Sequence, residues 1–221
     1  MLVLGCSHGT HLADKVAKLL HKKCSNLMAE KFPDGELRVR LDCNVKGKEV
    51  AFVQSFYNDV SYCIVEIILA AQTAAELGAK KIILAAPYFP YMRQDKRFHN
   101  GEAISQRIIA SLIDRYFDEV CIMDPHLHRE NKLEHIFRIK SKRLTANNLI
   151  AEYIRKNIPN PVIVGPDEES YKWASNVAEM LGAESRILKK KRYSSYHVEV
   201  KLNKKINLKN RNAVIVDDIV S

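Results

Sequence analysis

Six short groups of polar residues, each directly behind a run of apolar ones, carry the side chains in this sequence best suited to chemistry. They are Gln54-Ser55, Tyr91-Met92-Arg93-Gln94-Asp95-Lys96, Asp124-Pro125-His126, Gly165-Pro166-Asp167, Lys189-Lys190-Lys191-Arg192 and Asp217-Asp218. Five of the six bring charge. Lysine and arginine suit phosphate, carboxylates suit Mg2+ or the hydroxyls of a sugar, and a histidine joins them. Any one group is what a polar surface loop contains anyway. Their recurrence behind successive apolar runs points to a site for phosphorylated substrates and a metal. The acidic pair that ends Val214-Ile215-Val216-Asp217-Asp218 suits, on its own, either a vicinal diol or the cap of a following helix. Neighbouring strand residues face opposite ways, so one carboxylate of such a pair is expected to reach a ligand while the other orients the loop. Lys189 to Arg192 is the only four-residue basic run, and on its own it reads as a solvated loop.

A scaffold must hold these groups, and the apolar pattern says which. Leu2 to Cys6, Glu36 to Leu41 and Glu49 to Gln54 read as strands, the second half-exposed because Leu37, Val39 and Leu41 alternate with Arg38 and Arg40. Lys81 to Ala86, Val120 to Met123, Val162 to Val164, Arg186 to Leu188 and Ala213 to Val216 are continuous apolar runs, as in strands covered on both faces. Between them His8 to Lys22, Val60 to Leu77, Ile104 to Tyr116, Asn147 to Asn157 and Ser170 to Leu181 carry helical spacing. Asn58 or Asp59 is the expected cap of the second helix and Gly78 its stop. That helix is apolar almost all round, so it is expected to be buried or to form an interface. Repeated β-α-β order predicts an α/β fold of mostly parallel sheets flanked by helices, with ligands beyond the carboxyl ends of the strands. A boundary near Ser141 to Arg143 splits the chain into two similar halves, residues 1–142 and 143–221.

The chain has 221 residues, with 35 Lys and Arg against 26 Asp and Glu, a net charge of +9. That length is one large or two small domains, and 47% hydrophobic residues with 8 glycines and 7 prolines exclude disordered, collagenous and solenoid classes. No apolar run approaches a membrane span, and Met1 leads into Leu2 to Leu4 without a basic segment, so neither a membrane protein nor a signal peptide is expected and the location is read as cytoplasmic. Five scattered cysteines without a C-x-x-C pair indicate neither a disulfide framework nor a thiolate metal site. The positive charge admits nucleic acid as a partner. The cations sit among carboxylates, however, and no aromatic-basic RNA motif appears, so no nucleic acid is expected.

Phe32-Pro33-Asp34-Gly35-Glu36, the segment from Tyr88 to Lys96, Met123-Asp124-Pro125-His126, Gly165-Pro166-Asp167 and Val214 to Ser221 stand in the order and spacing of ribose-phosphate pyrophosphokinases. The resemblance runs from Leu2 to Ser221. It is specific, because an ordinary phosphoribosyltransferase has the acidic pair without the Phe-x-Asp-Gly-Glu and Arg-Gln-Asp-Lys segments. It implies two phosphoribosyltransferase-type domains, the first on the ATP side and the second on the ribose 5-phosphate side. It also implies transfer of pyrophosphate from ATP to the 1-hydroxyl of ribose 5-phosphate, with Mg2+.

Residue by residue, the resemblance implies that Phe32 stacks on adenine, with Asp34, Gly35 and Glu36 completing a hairpin that reaches a neighbouring subunit's ATP. Arg93 and Gln94 match the nucleotide-binding pair. His126 lies beside the ATP phosphates and supports the metal, with Asp167 as the second metal-associated residue. Lys190 and Arg192 match the catalytic Lys-x-Arg of a mobile loop. Arg192, Asp217, Asp218 and Ser221 match the ribose 5-phosphate site. The family forms dimers or hexamers, and a homo-oligomer is expected here.

Three departures stand out. Pro33 replaces the Ser of many members and should stiffen the turn. Glu168-Glu169 after Asp167 replace small residues. The family continues after Ser221 with a Thr-Gly-Gly-Thr-like phosphate loop, so the second domain reads as incomplete, and the chain as written is expected to bind ATP but to turn over ribose 5-phosphate poorly. The alternatives are a non-catalytic synthetase-like regulatory subunit and a phosphoribosyltransferase.

Overall fold

The computed structural model describes residues 1–127, 132–167, 170–192, 198–202 and 208–218, with 189–192 and 198–202 described through their backbone. Two compact units, Met1–Leu144 and Thr145–Ser221, make up the chain.

The first unit is a seven-stranded sheet in the order β3-β2-β1-β4-β5-β6-β7. Its strands are β1 (Leu2–Gly5), β2 (Lys23–Lys31), β3 (Leu37–Leu41), β4 (Glu49–Val53), β5 (Lys81–Ala86), β6 (Glu119–Met123) and β7 (Lys140–Leu144). All ladders are parallel except β2 with β3. The crossover helices are α1 (Thr10–Leu19), α2 (Val60–Glu76) and α3 (Ser105–Tyr116). The core forms where the apolar strands meet the helices, around Leu4, Phe52, Ile67, Leu84, Ile113 and Ile122. Edge-on ring contacts Phe56–Phe89 and Phe89–Phe137 extend it past the strand ends. Asp59 caps α2 by accepting the Tyr62 amide at 3.1 Å, and Gly78, at φ +82°, follows the helix end. Cys63, Ile67, Ala70, Ala71 and Ala74 are buried, whereas Val65 and Leu69 on the same helix are exposed at 47% and 38%. The helix is thus buried on one face and leaves an apolar stripe outside.

Charge pairing fixes the amino edge of this sheet. Glu119, at the start of β6, accepts from Lys81 of β5 at 2.7 Å and from Lys140 of β7 at 3.2 Å, tying three adjacent strands. The Lys81 hydrogen bond, opposed by burial, holds the Glu119 carboxyl below its ordinary 4.5. A depressed folded-state value means stabilisation present above the unfolded pKa and lost as pH falls through the folded one. Glu119→Gln is expected to lower unfolding free energy by about 2 kcal/mol at pH 7, and by much less at pH 3. Urea unfolding at both pH values checks this, and an equal loss at each would show that the carboxylate charge is not the source.

The second unit is a four-stranded sheet in the order β10-β9-β8-β11, with β8 (Pro161–Gly165), β9 (Glu184–Arg192), β10 (Val198–Leu202) and β11 (Asn212–Ile215). α4 (Asn147–Asn157) and α5 (Tyr171–Leu181) cover it through Ala151, Ile154, Ile163, Trp173 and Val177. Its plan repeats part of the first unit. A strand, a crossover helix, a parallel strand and an antiparallel partner are followed by a return strand on the far side, so β3-β2-β1-β4 corresponds to β10-β9-β8-β11. The α/β class with mostly parallel sheets is therefore realised in both units.

The structure departs from the sequence reading in four places. β2 was not anticipated, since Lys-Cys-Ser-Asn-Leu-Met-Ala-Glu-Lys has neither β-branched residues nor alternation, and its place between β1 and β3 makes it a strand. β7 was missed because it is a lysine- and arginine-rich edge, the composition that blunts edge pairing. Residues 141–143, expected to hold the boundary, lie inside it. The basic run Lys189 to Arg192, expected as a loop, belongs to β9 and pairs with β10, another unanticipated strand. Charged side chains gave no periodic apolar signal there, and main-chain pairing decides.

Candidate active site

In the second unit, the crevice where the chain reverses direction across the sheet lies between β8 and β11. Asp167 follows β8, and Asp217 and Asp218 follow β11. One Asp167 oxygen is engaged at the start of α5, accepting the Ser170 amide and hydroxyl, each at 2.9 Å. One Asp217 oxygen accepts the Asp218 amide at 2.9 Å, which folds the acidic pair into a turn. Burial pushes the Asp217 carboxyl up, and the neighbouring charges of Asp218 and Asp167 add to it. Three carboxylates collected at one strand edge repel one another until a cation or a pair of donor hydroxyls lies among them. Among the described residues no three His, Cys, Asp or Glu side chains already form a metal centre. Lys190 and Arg192, two apart on β9, share one face of that strand, and Lys189 and Lys191 share the other. Ser221 lies outside the described residues.

In the first unit the expected residues occupy the same edge of the sheet. Arg93 and Gln94 follow β5, and His126 follows the adjacent β6. Gln94 accepts from the Ser105 hydroxyl at 2.6 Å, which ties this segment to the start of α3. The backbone at these strand ends is bent into the left-handed region at three non-glycine residues, Asn58 after β4, Tyr91 after β5 and Asp124 after β6. Such conformations persist only where surrounding structure holds them, and they gather at functional sites. Each here directs the chain just before a site segment or a helix start. A cavity of about 510 Å3 beside α3 has Asp95 in its wall, but neither Arg93 nor His126.

Phe32, Asp34, Gly35 and Glu36 stand elsewhere. β2 pairs with β1 only through Lys23 to Asn26, and Leu27 to Lys31 pair only with β3, so the hairpin extends beyond the sheet as an arm. Its tip is a tight turn. The Phe32 amide donates to the Glu36 carbonyl at 2.8 Å, the Gly35 amide to the Phe32 carbonyl at 2.9 Å, and the Glu36 amide to an Asp34 carboxylate oxygen at 3.1 Å. Gly35 sits at φ +97°, a conformation costly for any residue with a Cβ. Asp34 therefore spends one oxygen on the turn, and Phe32 is left 44% exposed. Strand order puts β2 three places from β5, roughly 14 Å at the usual strand spacing. The hairpin and the Arg93 segment are not neighbours on the sheet.

Sequence reasoning missed a buried polar network at the first unit's own crevice. Glu66 of α2 is fully buried and accepts the Ser7 amide at 2.8 Å, the Ser7 hydroxyl at 2.6 Å and the Gln54 amide at 2.6 Å. Gln54 in turn accepts the His8 amide at 3.0 Å. The His8 ring stacks on Tyr57 and lies 3.5 Å from the Cys63 sulfur. Burial and the nearby Glu66 charge push the Cys63 thiol up to about 11, so it stays protonated beside His8 Nδ1. The one available signal was Glu66 in the otherwise apolar stretch of α2 from Cys63 to Ala71.

Comparison with known proteins gives the family. Residues 1–116 match the model of the N-terminal domain of ribose phosphate pyrophosphokinase, and residues 133–221 match the phosphoribosyl transferase domain. The ribose-phosphate pyrophosphokinase of Methanothermobacter thermautotrophicus is 36% identical over 221 residues, covering all of this chain and 75% of that protein. The ribose-phosphate pyrophosphokinase of Pyrococcus abyssi is 34% identical, covering all of this chain and 74% of that protein. The crystal structure of phosphoribosylpyrophosphate synthetase from Mycobacterium smegmatis superposes with a TM-score of 0.75 at 26% identity, over 90% of this chain and 66% of that one. The chain thus spans about three quarters of the length of these curated relatives. No described helix is long and apolar enough to cross a membrane. With matching domains in matching order across its whole length, the chain belongs to the ribose-phosphate pyrophosphokinase family, enzymes that make phosphoribosyl pyrophosphate.

Proposed function

We propose that the pyrophosphoryl donor is ATP and that the 1-hydroxyl of ribose 5-phosphate attacks its β-phosphorus, giving phosphoribosyl pyrophosphate and AMP. The observation that carries this reading is the set of three carboxylates, Asp167, Asp217 and Asp218, at the crevice of the second unit. One carboxylate of the acidic pair accepts from the vicinal hydroxyls of ribose, while the other orients the turn. Arg192 meets the sugar phosphate. On the first unit, Phe32 stacks on adenine, with Asp34, Gly35 and Glu36 shaping its turn. Arg93, Gln94 and His126 hold the nucleotide along the ends of β5 and β6. The first unit is thus the ATP side and the second the ribose 5-phosphate side.

Little covalent work falls to the protein in such a transfer, so alignment and neutralisation of spreading negative charge dominate. Lys190 and Arg192, a point charge and a fork on one strand face, supply that neutralisation. In the first unit His126, and in the second Asp167, is the residue to support a divalent cation, taken here as Mg2+, which when bound would draw charge from the phosphate oxygens. The exposed arm supports assembly. A tip so far along the sheet from the Arg93 segment suits the nucleotide of a neighbouring subunit, and Val65 and Leu69 on α2 leave apolar surface for a homo-oligomer.

The test is an AMP-release assay on the purified full-length protein with Mg-ATP and ribose 5-phosphate, run beside light scattering. Expected are one AMP per phosphoribosyl pyrophosphate and a mass that is a multiple of the subunit's. ATP binding without AMP release would make the protein a non-catalytic subunit, and a monomer mass would remove the shared site.

A further inference from the structure

The repeated plan of the two units is matched in register. In the second unit, Leu188 pairs with Leu202 and Arg192 with Val198, and in the first, Leu27 pairs with Leu41 and Lys31 with Leu37. Five residues close each hairpin, between Lys31 and Leu37 and between Arg192 and Val198. The parallel ladders agree as well. Gly5 of β1 lies opposite Asn26 of β2, one residue before Leu27, and Gly165 of β8 lies opposite Ile187 of β9, one residue before Leu188. The helices that follow are anchored alike, since a Cβ on Gly5 would meet Thr10 and Ala13, and one on Gly165 would meet Tyr171 and Ala174. Lys31 therefore occupies in the first unit the position that Arg192 occupies in the second. Both are the last paired residue before the hairpin tip and lie on the corresponding face of their sheets.

We infer that Lys31 is a nucleotide-binding residue whose ammonium contacts the phosphates of the ATP held by the Phe32 hairpin. The inference rests on the reading of that hairpin as the adenine clamp, and it adds the charge that a stacking aromatic lacks. Three observations support it. Lys31 directly precedes Phe32 and is exposed. Its side chain runs along the turn, with Cε 3.9 Å from where a Cβ on Gly35 would stand, so the ammonium is carried toward the tip that holds Phe32. The other cations of the hairpin have carboxylate partners, Arg38 with Glu30 and Arg40 with Asp42, whereas Lys31 makes no ion pair among the described residues. An ammonium without an ion pair on the residue before an exposed ring, its stem running along the turn, suits a ligand that is aromatic at one end and anionic at the other. Ala29 stands where Lys190 stands, so the first hairpin carries one of the two cations of the second. A single cation suits holding a phosphate rather than neutralising a reacting one.

The experiment is calorimetry of the full-length protein with Mg-ATP and, separately, with adenosine, for Lys31→Met, Lys31→Arg and Phe32→Ala. Lys31→Met keeps the stem and removes the charge. It is expected to weaken Mg-ATP about 10-fold while leaving adenosine unchanged, and Lys31→Arg is expected to restore most of the loss. Phe32→Ala is expected to weaken both ligands. If Phe32→Ala weakens both and Lys31→Met weakens neither, the adenine clamp stands and the role of Lys31 falls. If Phe32→Ala changes neither, the hairpin reading itself is wrong. Equal loss of ATP and adenosine in Lys31→Met would mean that the lysine acts through the turn, and that also overturns the proposal.

Discussion

Alanine at Lys190 or at Arg192 is expected to lower turnover by about 10² to 10³ while changing the KM for ATP by less than a few fold. Interactions that strengthen only as charge spreads in the transition state act on kcat, whereas those already made in the ground state act on KM. The structure gives this expectation an internal control. The run Lys189 to Arg192 is part of a strand, paired residue by residue with Leu202 to Val198 and closed by only five residues. Strand periodicity then separates Lys190 and Arg192 from Lys189 and Lys191. Lys189→Ala and Lys191→Ala preserve the count of positive charges lost but act from the opposite face, and should cost less than threefold. Steady-state kinetics of the four variants decides the matter. Equal effects from all four would mean that only general positive potential is at work, and a loss confined to KM for ATP would make the run a ground-state clamp.

That the basic run is a strand shows where the sequence stopped being informative. Runs such as Lys81 to Ala86 and Val162 to Val164 were legible because burial on both faces demands unbroken apolar residues, and they appear as β5 and the middle of β8. α2 was legible for the same reason at both ends, Asp59 capping it and Gly78 following it. β2, β7 and β10 were not, because edge strands and projecting arms are specified by main-chain partners far away in sequence. The charged side chains of β7 face solvent and give no apolar period. The candidate site divides in the same way. Asp167, Asp217 and Asp218 were legible as strand-end carboxylates, and the structure brings them together on adjacent strands. The separate place of Phe32 to Glu36, on an arm beyond the sheet, followed from the strand order and not from any motif.

Glu66→Ala is expected to destabilise the first unit by about 2 to 4 kcal/mol, because it leaves a cavity and takes the acceptor from buried neutral donors. The carboxylate accepts three hydrogen bonds from Ser7 and Gln54, and without it the buried Gln54 amide keeps only the Ser7 hydroxyl, at 3.1 Å. Conservative Glu66→Gln keeps two acceptor sites on one oxygen and should recover part of the loss. Ser7→Ala, which removes a hydroxyl that donates to Glu66 and accepts from Gln54, should cost about 1 kcal/mol. The network has a purpose legible from the repeat. Gly5 pairs with Val53 and Val164 with Ile215, so Gln54 follows β4 where Asp217 follows β11. In the second unit that position begins the acidic pair Asp217-Asp218. In the first, the turn after β1 is drawn onto it so closely that a Cβ on Gly9 would stand 1.8 Å from the Val53 carbonyl oxygen. Glu66, Ser7 and Gln54 thus engage one another at the first unit's crevice, and a ribose diol is not expected to enter there. Urea unfolding of Glu66→Ala, Glu66→Gln, Ser7→Ala and Gly9→Ala measures this. Gly9→Ala should unfold as readily as Glu66→Ala, because the backbone and not a side-chain tip must give way. A Glu66→Ala protein within 1 kcal/mol of the parent would show that water replaces the network at little cost, and that the first crevice is open.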